Sequence, residues 1–301
     1  MPQAPPLSLV RVVLPVVVVA NVAFNYLSDP LAARLGFRLG PSVRAVSDRY
    51  DHLFTPAPFA FSIWGVIYAA FLAYSVVQLR AVHRANPVYD RLSAMLIVAN
   101  LLAAGWIVAF RAQRIDLSVG IIGASLLVGI GMFVTAHRAK TTHGLSTWIT
   151  VPFSLYLGWI SVATIANVST FFVSAGFQGG MYGTAPFAVG MIAGAALLAT
   201  VLAVGFRDYL VPAVVAWTSF ALLVKYHLIN PSVGAAALIA AILMAFLSIA
   251  VVLWNLQLFS RWQARRDKIR LRAAMAPPLA PLSSSQDHPS LPNPPRESYV
   301  G

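Results

Sequence analysis

Eight apolar runs, near residues 9–28, 58–79, 92–110, 117–136, 146–167, 186–205, 210–226 and 233–258, alternate with short polar stretches along the chain. A helix crossing a hydrocarbon core of about 30 Å needs about 20 residues at 1.5 Å each, and most of these runs meet that length. The seventh is the shortest and opens with Pro212. Pro152 sits near the start of the fifth; near a helix start a missing amide costs little. The first run is similar to a signal-peptide core, but it is long and no small-residue cleavage site follows it, so it reads as a span. The pattern predicts an all-α integral membrane protein with eight transmembrane helices, multi-pass in its membrane. The Pro- and Ser-rich ends, 1–6 and 276–301, hold too few large apolar residues to fold.

Composition sharpens this picture. Apolar residues make up 59% of the chain and charged ones 10%, against about 25% charged in soluble chains. Most of the surface therefore faces lipid. Nine acidic and 21 basic residues give a formal charge of +12, and the basic ones lie in loops and a tail, as topology signals rather than a nucleic-acid surface. With eight spans, one side collects Arg11, Arg80, Arg84, Arg91, Arg138, Lys140, Arg207 and six from 261–272. The other side collects Arg34, Arg38, Arg44, Arg49, Arg111, Arg114 and Lys225, so both termini are expected in the cytoplasm. The segment SRWQARRDKIRLR at 260–272 reads as a stop-transfer anchor against anionic lipid. The absence of cysteine excludes disulfides, thiolate catalysis and Cys-based metal sites.

Candidate chemistry in the interior is sparse. Asp29, Asp48, Asp51, Asp90, Asp116, Asp208, Asp267, Asp287 and Glu297 all fall in loops, helix ends or the tail, so no carboxylate of a proton-coupled pump is expected at membrane depth. His137 and His143 flank a loop that reads as solvated rather than metal-binding. No nucleophile–base pair stands out, no cofactor or metal is expected, and the chain does not read as an enzyme. Asn21, Asn25, Asn100 and Asn167 read as interhelical packing bonds, and Gly190 with Gly194 as a close-packing GxxxG. Trp148, Trp254 and Trp262 lie at helix ends, as an aromatic belt would. Trp64, Trp106 and Trp159 instead lie about 6 to 12 Å below the helix ends, all on the side of the first loop. Three rings at one depth can wall an apolar pocket for a flat ligand.

At these residues the sequence resembles a family, the translocator protein / tryptophan-rich sensory protein family (TspO/MBR). TPAPFAFSIWGVIYAAFLAY, with Trp64, Gly65 and Tyr68, is similar to that family's second helix. VPFSLYLGWISVATIANV, with Pro152, Trp159, Ala163 and Asn167, is similar to its fifth, and GWIVAFRAQR, with Trp106 and Phe110, to its third. HRA at 137–139 resembles the close of the fourth.

The resemblance covers about residues 9–172 and implies a five-helix bundle with a ligand pocket beneath the first loop. Two pocket tryptophans of the family fall on Trp64 and Trp159, and with the depth argument and the motif positions the candidate ligand contacts are Trp64, Tyr68, Trp106, Phe110, Trp159, Ala163 and Asn167. The implied organisation is a bundle at 1–172, three further spans at 173–259, and a basic segment with a tail at 260–301. The implied function is binding of tetrapyrroles such as porphyrin, or similar flat lipophiles, as sensor or carrier. The alternative is an uncoupled transporter or channel for a small neutral solute, with a polar path through Asn21, Asn100 and Lys225. Expected partners are the lipid bilayer and the lipophilic ligand, not nucleic acid, and a homodimer stays open. The departures are Pro58 in place of a loop Trp, Ala103 in place of an Asn, and STFFVSAG in place of the sterol-associated Tyr and Arg. They argue against animal-type sterol binding and against porphyrin degradation. Trp64 and Trp159 are expected to face each other across the cavity, with Arg44, Arg49 and His52 above it to meet a ligand's propionates.

Overall fold

The computed structural model describes residues 5–36, 40–50, 52–142, 144–176 and 184–275, with the side chains of 258–259 and 261–275 outside that description. The expectations for His143, Asp51, Trp262 and the 276–301 tail fall outside it as well. The helices are α1 (Leu9–Arg34), α2 (Val43–Ser47), α3 (Ile63–Val77), α4 (Val88–Arg111), α5 (Ile115–Thr142), α6 (Val151–Ser174), α7 (Ala185–Phe206), α8 (Leu210–Tyr226) and α9 (Pro231–Met275). No strand occurs among the described residues. Seven helices are long and apolar enough to cross a membrane, and α8, at 17 residues, is a shorter apolar one. Its length of about 26 Å falls just short of a hydrocarbon core. The chain is a multi-pass integral membrane protein of about eight spans.

Pairing at the helix ends gives the alternation. Arg11, early in α1, bonds Asp90 in the first turn of α4, and at their far ends Asp29 pairs with Arg111. His137, near the end of α5, meets Asp208 between α7 and α8, and Tyr226, at the end of α8, reaches the first loop. The described residues up to 255 belong to one compact unit, which holds the 1–172 group and most of the 173–259 group of spans drawn from sequence, and those from 256 to 275 belong to a second.

Helix α6 is the centre of the first unit. Of its most apolar stretch 67% is buried, against at most 39% for any other candidate span. One apolar core joins it to α1, α3 and α4 through Leu14, Ile67, Phe71, Leu96 and Tyr156. Another joins it to α5, α7, α8 and α9 through Phe133, Leu157, Ile192, Val215 and Ala237. Gly158 lets α8 close on α6: a Cβ there would stand 3.0 Å from Val214 Cβ. Gly190 and Gly194, by contrast, meet nothing within 4 Å of an added Cβ. The GxxxG of α7 is exposed, not a packing seam within the chain, because α7 buries Ala188, Ile192, Ala195 and Ala199 instead.

Two charged groups read as ordinary loop or topology charges are enclosed. Arg11 is 1% exposed. Its guanidinium bonds both Asp90 oxygens and the carbonyls of His83 and Asn86, at 2.6 to 3.0 Å, and Ser8 Oγ also bonds Asp90. Asp208 is 3% exposed. Its Oδ2 accepts from Ser154 Oγ at 2.6 Å and from His137 Nε2 at 3.1 Å. Its Oδ1 takes the N–H groups of Leu210 and Val211, and the next position is Pro212, which has none. The first turn of α8 is thus closed by one carboxylate and one proline. Burial alone would raise the Asp208 carboxyl, but hydrogen bonds from His137, Ser154 and Val211 N–H hold it below the usual range. His137 is accordingly a buried residue of α5 rather than part of a solvated loop.

Candidate functional site

The first loop is folded down onto the bundle rather than trailing in solvent. Ser42 Oγ caps α2 by accepting from Ala45 N–H, and Val46 drives into a small core with Phe110 and Ile115. Phe54, 1% exposed, enters the core around α8 and α9. Between these two anchors the loop roofs a cavity.

The cavity lies between α4 and α6. Its walls are Trp106 and Phe110 from α4, Phe61 from the turn before α3, and Trp159, Val162, Ala163, Ala166, Asn167 and Thr170 from α6. The α6 positions repeat at three- and four-residue spacing, so a single helix face supplies them. Val43, Ser47, His52, Thr55 and Pro56 form the roof. The enclosed space is about 60 Å³, within an outline of about 530 Å³ that includes the mouth open to solvent.

Polar contacts hold the walls in place. Trp106 stacks on Phe110 with ring centres 4.8 Å apart, and its indole N–H donates to Asn167 Oδ1 at 2.7 Å. Asn167 Nδ2 in turn donates to Ser118 Oγ of α5 at 3.0 Å. This amide fixes an indole as well as joining helices. Trp159 meets Phe61 edge-on at 5.6 Å.

Five of the seven residues assigned by sequence therefore line this cavity: Trp106, Phe110, Trp159, Ala163 and Asn167. Trp64 and Tyr68 do not. Trp64 touches Trp159 edge-to-face, with centres 6.5 Å apart and planes at 79°, so the two rings contact each other and no cavity separates them. Trp64 stacks on Tyr68 at 5.3 Å, and Tyr68 meets Tyr26 of α1. These rings fill the α1–α3–α6 side of the bundle. Val162, Ala166 and Thr170 were recoverable from the α6 period; of the roof residues, sequence reasoning placed only His52 above the cavity.

The roof's charges also differ from expectation. His52 is 3% exposed. Its Nδ1 accepts from Phe54 N–H at 3.3 Å, which leaves the proton on Nε2, 3.2 Å from Thr170 Oγ1. Burial, and next the charge of Lys225, push the imidazole down to about 4. It is a neutral strut, not a cation awaiting a propionate. Arg44 pairs with Asp48 at 3.7 Å, and Arg49 donates to Gln113 Oε1.

The additional helices reach the same roof. Tyr226 donates its hydroxyl to the His52 carbonyl at 3.0 Å. Ala57 N–H bonds the Ala221 carbonyl at 3.2 Å, and Trp217 Nε1 bonds the Ala60 carbonyl at 3.1 Å. Away from the cavity, Asn21 Nδ2 bonds Asn100 Oδ1 at 2.9 Å between α1 and α4, while Lys225 stands at the far end of α8 against the Tyr226 ring. Asn25 Nδ2 also donates to Asn21 Oδ1, and Asn100 Nδ2 to the Leu96 carbonyl, so these amides are bonded to one another and to their own helices.

Searches of curated proteins and of solved structures each returned no match. A family model described as TSPO-like protein matches residues 11–251. That match runs past the five-helix region, through α7 and α8 and into α9, so the later helices lie within the family's pattern. An all-helical membrane bundle, the Trp106–Asn167 wall beneath the first loop and a family match over most of its length together establish that this chain belongs to the TSPO-like family.

Proposed function

We propose that the chain is a membrane ligand-binding protein, a sensor or carrier without catalysis, for tetrapyrroles such as porphyrin or similar flat lipophiles. The observation that supports this most is the cavity beneath the first loop, walled by two indoles at the depth where flat rings stack. Small-molecule pockets commonly span about 300–1,000 Å³, so a macrocycle enters only with the roof displaced into the open mouth. A conduit for a neutral solute has no comparable support, since Asn21 and Asn100 bond each other.

Fluorescence-quenching titration of the purified protein with protoporphyrin tests the reading. Stacking on an indole contributes about 0.5 to 1.5 kcal/mol per ring beyond area, so Trp106→Leu and Trp159→Leu should each weaken binding about 3- to 10-fold. Trp148→Leu, whose ring packs on Tyr74 and His83 at the opposite helix ends, should leave affinity unchanged. Equal effects at all three positions, or no porphyrin binding by the wild type, would show these to be packing residues only.

A further inference from the structure

We propose that α8 is a lever linking the two membrane faces: the His137–Ser154–Asp208 cluster at its first end holds the cavity roof closed at its other end. The juxtaposition that carries this is the division of its polar ties. At the first end Asp208 serves two sides at once. Its Oδ1 takes the N–H groups of Leu210 and Val211, which binds it to α8. Its Oδ2 accepts from Ser154 of α6 and His137 of α5, which binds α8 to the bundle. The imidazole is wedged between Phe133 and Phe206, with ring centres 4.2 and 5.4 Å away. Arg207, beside the cluster, has φ +53°, a left-handed conformation that a non-glycine residue keeps only while its surroundings over-determine it. Ser248 and Asn255 of α9 supply part of that hold, through the Tyr209 and Arg207 carbonyls.

From Trp217 onwards the ties go instead to the 52–60 segment that carries part of the roof: Trp217 to the Ala60 carbonyl, Ala221 to Ala57 N–H and Tyr226 to the His52 carbonyl. Between the two sets α8 buries Val211, Val214 and Val215, and Thr218 spends its hydroxyl on the Val214 carbonyl of its own helix. Apolar burial is non-directional and leaves the tilt of a helix free, whereas hydrogen bonds set it. The close approach of Val214 to Gly158 gives the tilt a pivot. The pivot lies about 9 Å along the helix from Asp208 and about 18 Å from Tyr226, so a displacement at the cluster is about doubled at the roof. The hold operates whichever ligand the cavity takes.

The test needs no ligand. In the full chain in nanodiscs, roof opening is read as the maleimide labelling rate of Ser47→Cys divided by that of the exposed Ala45→Cys. Ser154→Ala and His137→Leu each remove one bond to Asp208 and leave its cap on α8 in place. Each should raise the ratio about 5-fold or more. His137→Gln, which keeps an N–H for Asp208, should stay near the wild type. Coupling between sites is reciprocal, so Tyr226→Phe, which removes a roof bond, should in turn speed labelling of Val211→Cys in the buried first turn of α8. Arg11→Met breaks a buried ion pair between α1 and α4 and should move neither reading, which separates the lever from general loosening. The lever is overturned by a roof ratio that Ser154→Ala and His137→Leu leave unchanged, by Val211→Cys labelling that ignores Tyr226→Phe, or by Arg11→Met or His137→Gln opening the roof as far as His137→Leu does.

Discussion

Acidification should loosen the roof, by an amount set at His52. In the closed roof the imidazole is held down to about 4, while in an opened, solvated loop it returns to about 6.5. Above pH 6.5 both forms are neutral and closure keeps its full strength. As pH falls from 6.5 towards 4 only the open form gains a proton, so the closed form loses stability, and below about 4 the loss levels off. At pH 5 the two values favour opening by about 30-fold, or about 2 kcal/mol. The mechanism is local: a proton on Nδ1 would face the Phe54 N–H donor 3.3 Å away, and two donors cannot share that contact. Because the chain has no cysteine, a single Ser47→Cys reports on the roof and an exposed Ala45→Cys corrects for thiol ionisation. The ratio of their maleimide labelling rates should rise by about that factor between pH 7 and 5, and His52→Asn should flatten the profile. A ratio that stays constant, or one that climbs equally in His52→Asn, refutes the assignment.

Arg11→Met should destabilise the protein by about 2–4 kcal/mol in thermal unfolding, since it strands Asp90 and two loop carbonyls, the partial exposure of Asp90 keeping the figure below a fully buried pair. An effect under about 0.5 kcal/mol would return Arg11 to an ordinary surface charge. Gly158→Ala should cost about 1–3 kcal/mol through Val214, and Gly190→Ala, with open space at its Cβ, should cost nothing measurable on the same unfolding scale. Asn167→Leu should remove about 1–3 kcal/mol of interhelical bonding and also weaken porphyrin titrations, because the Trp106 ring loses its anchor; unfolding shifts without any change in titration would separate the amide from the cavity.

Much of the fold was legible because lipid imposes a simple rule: a helix that faces hydrocarbon must be apolar along its whole length, and a run of such residues is visible without knowing its neighbours. The α4 and α6 walls were legible for a related reason, since depth along a helix follows from counting residues. Charge burial was not. Arg11 and Asp208 look like any helix-end charges, and what encloses them, Asp90 and the carbonyls of His83 and Asn86 for one, His137 and Ser154 for the other, lies 50 to 80 residues away in sequence. Ring orientation was equally hidden. Trp64 and Trp159 share a depth, yet they touch rather than oppose, because depth fixes height and says nothing of azimuth. The GxxxG of α7 failed as a packing signal for a related reason: small residues permit close approach but do not supply the neighbour.

The bonds from α8 to the roof set an order of assembly. A nascent chain reaches the membrane from its N-terminus, so residues 52–60 arrive with the second span, whereas Trp217, Ala221 and Tyr226 emerge more than 150 residues later. Until then the Ala57 N–H and the His52 and Ala60 carbonyls lack the partners they have in the finished fold. Five spans inserted alone would hold both indole walls but leave the entrance unset, and the chain stopped before α8 would be a receptor whose door had not yet been hung.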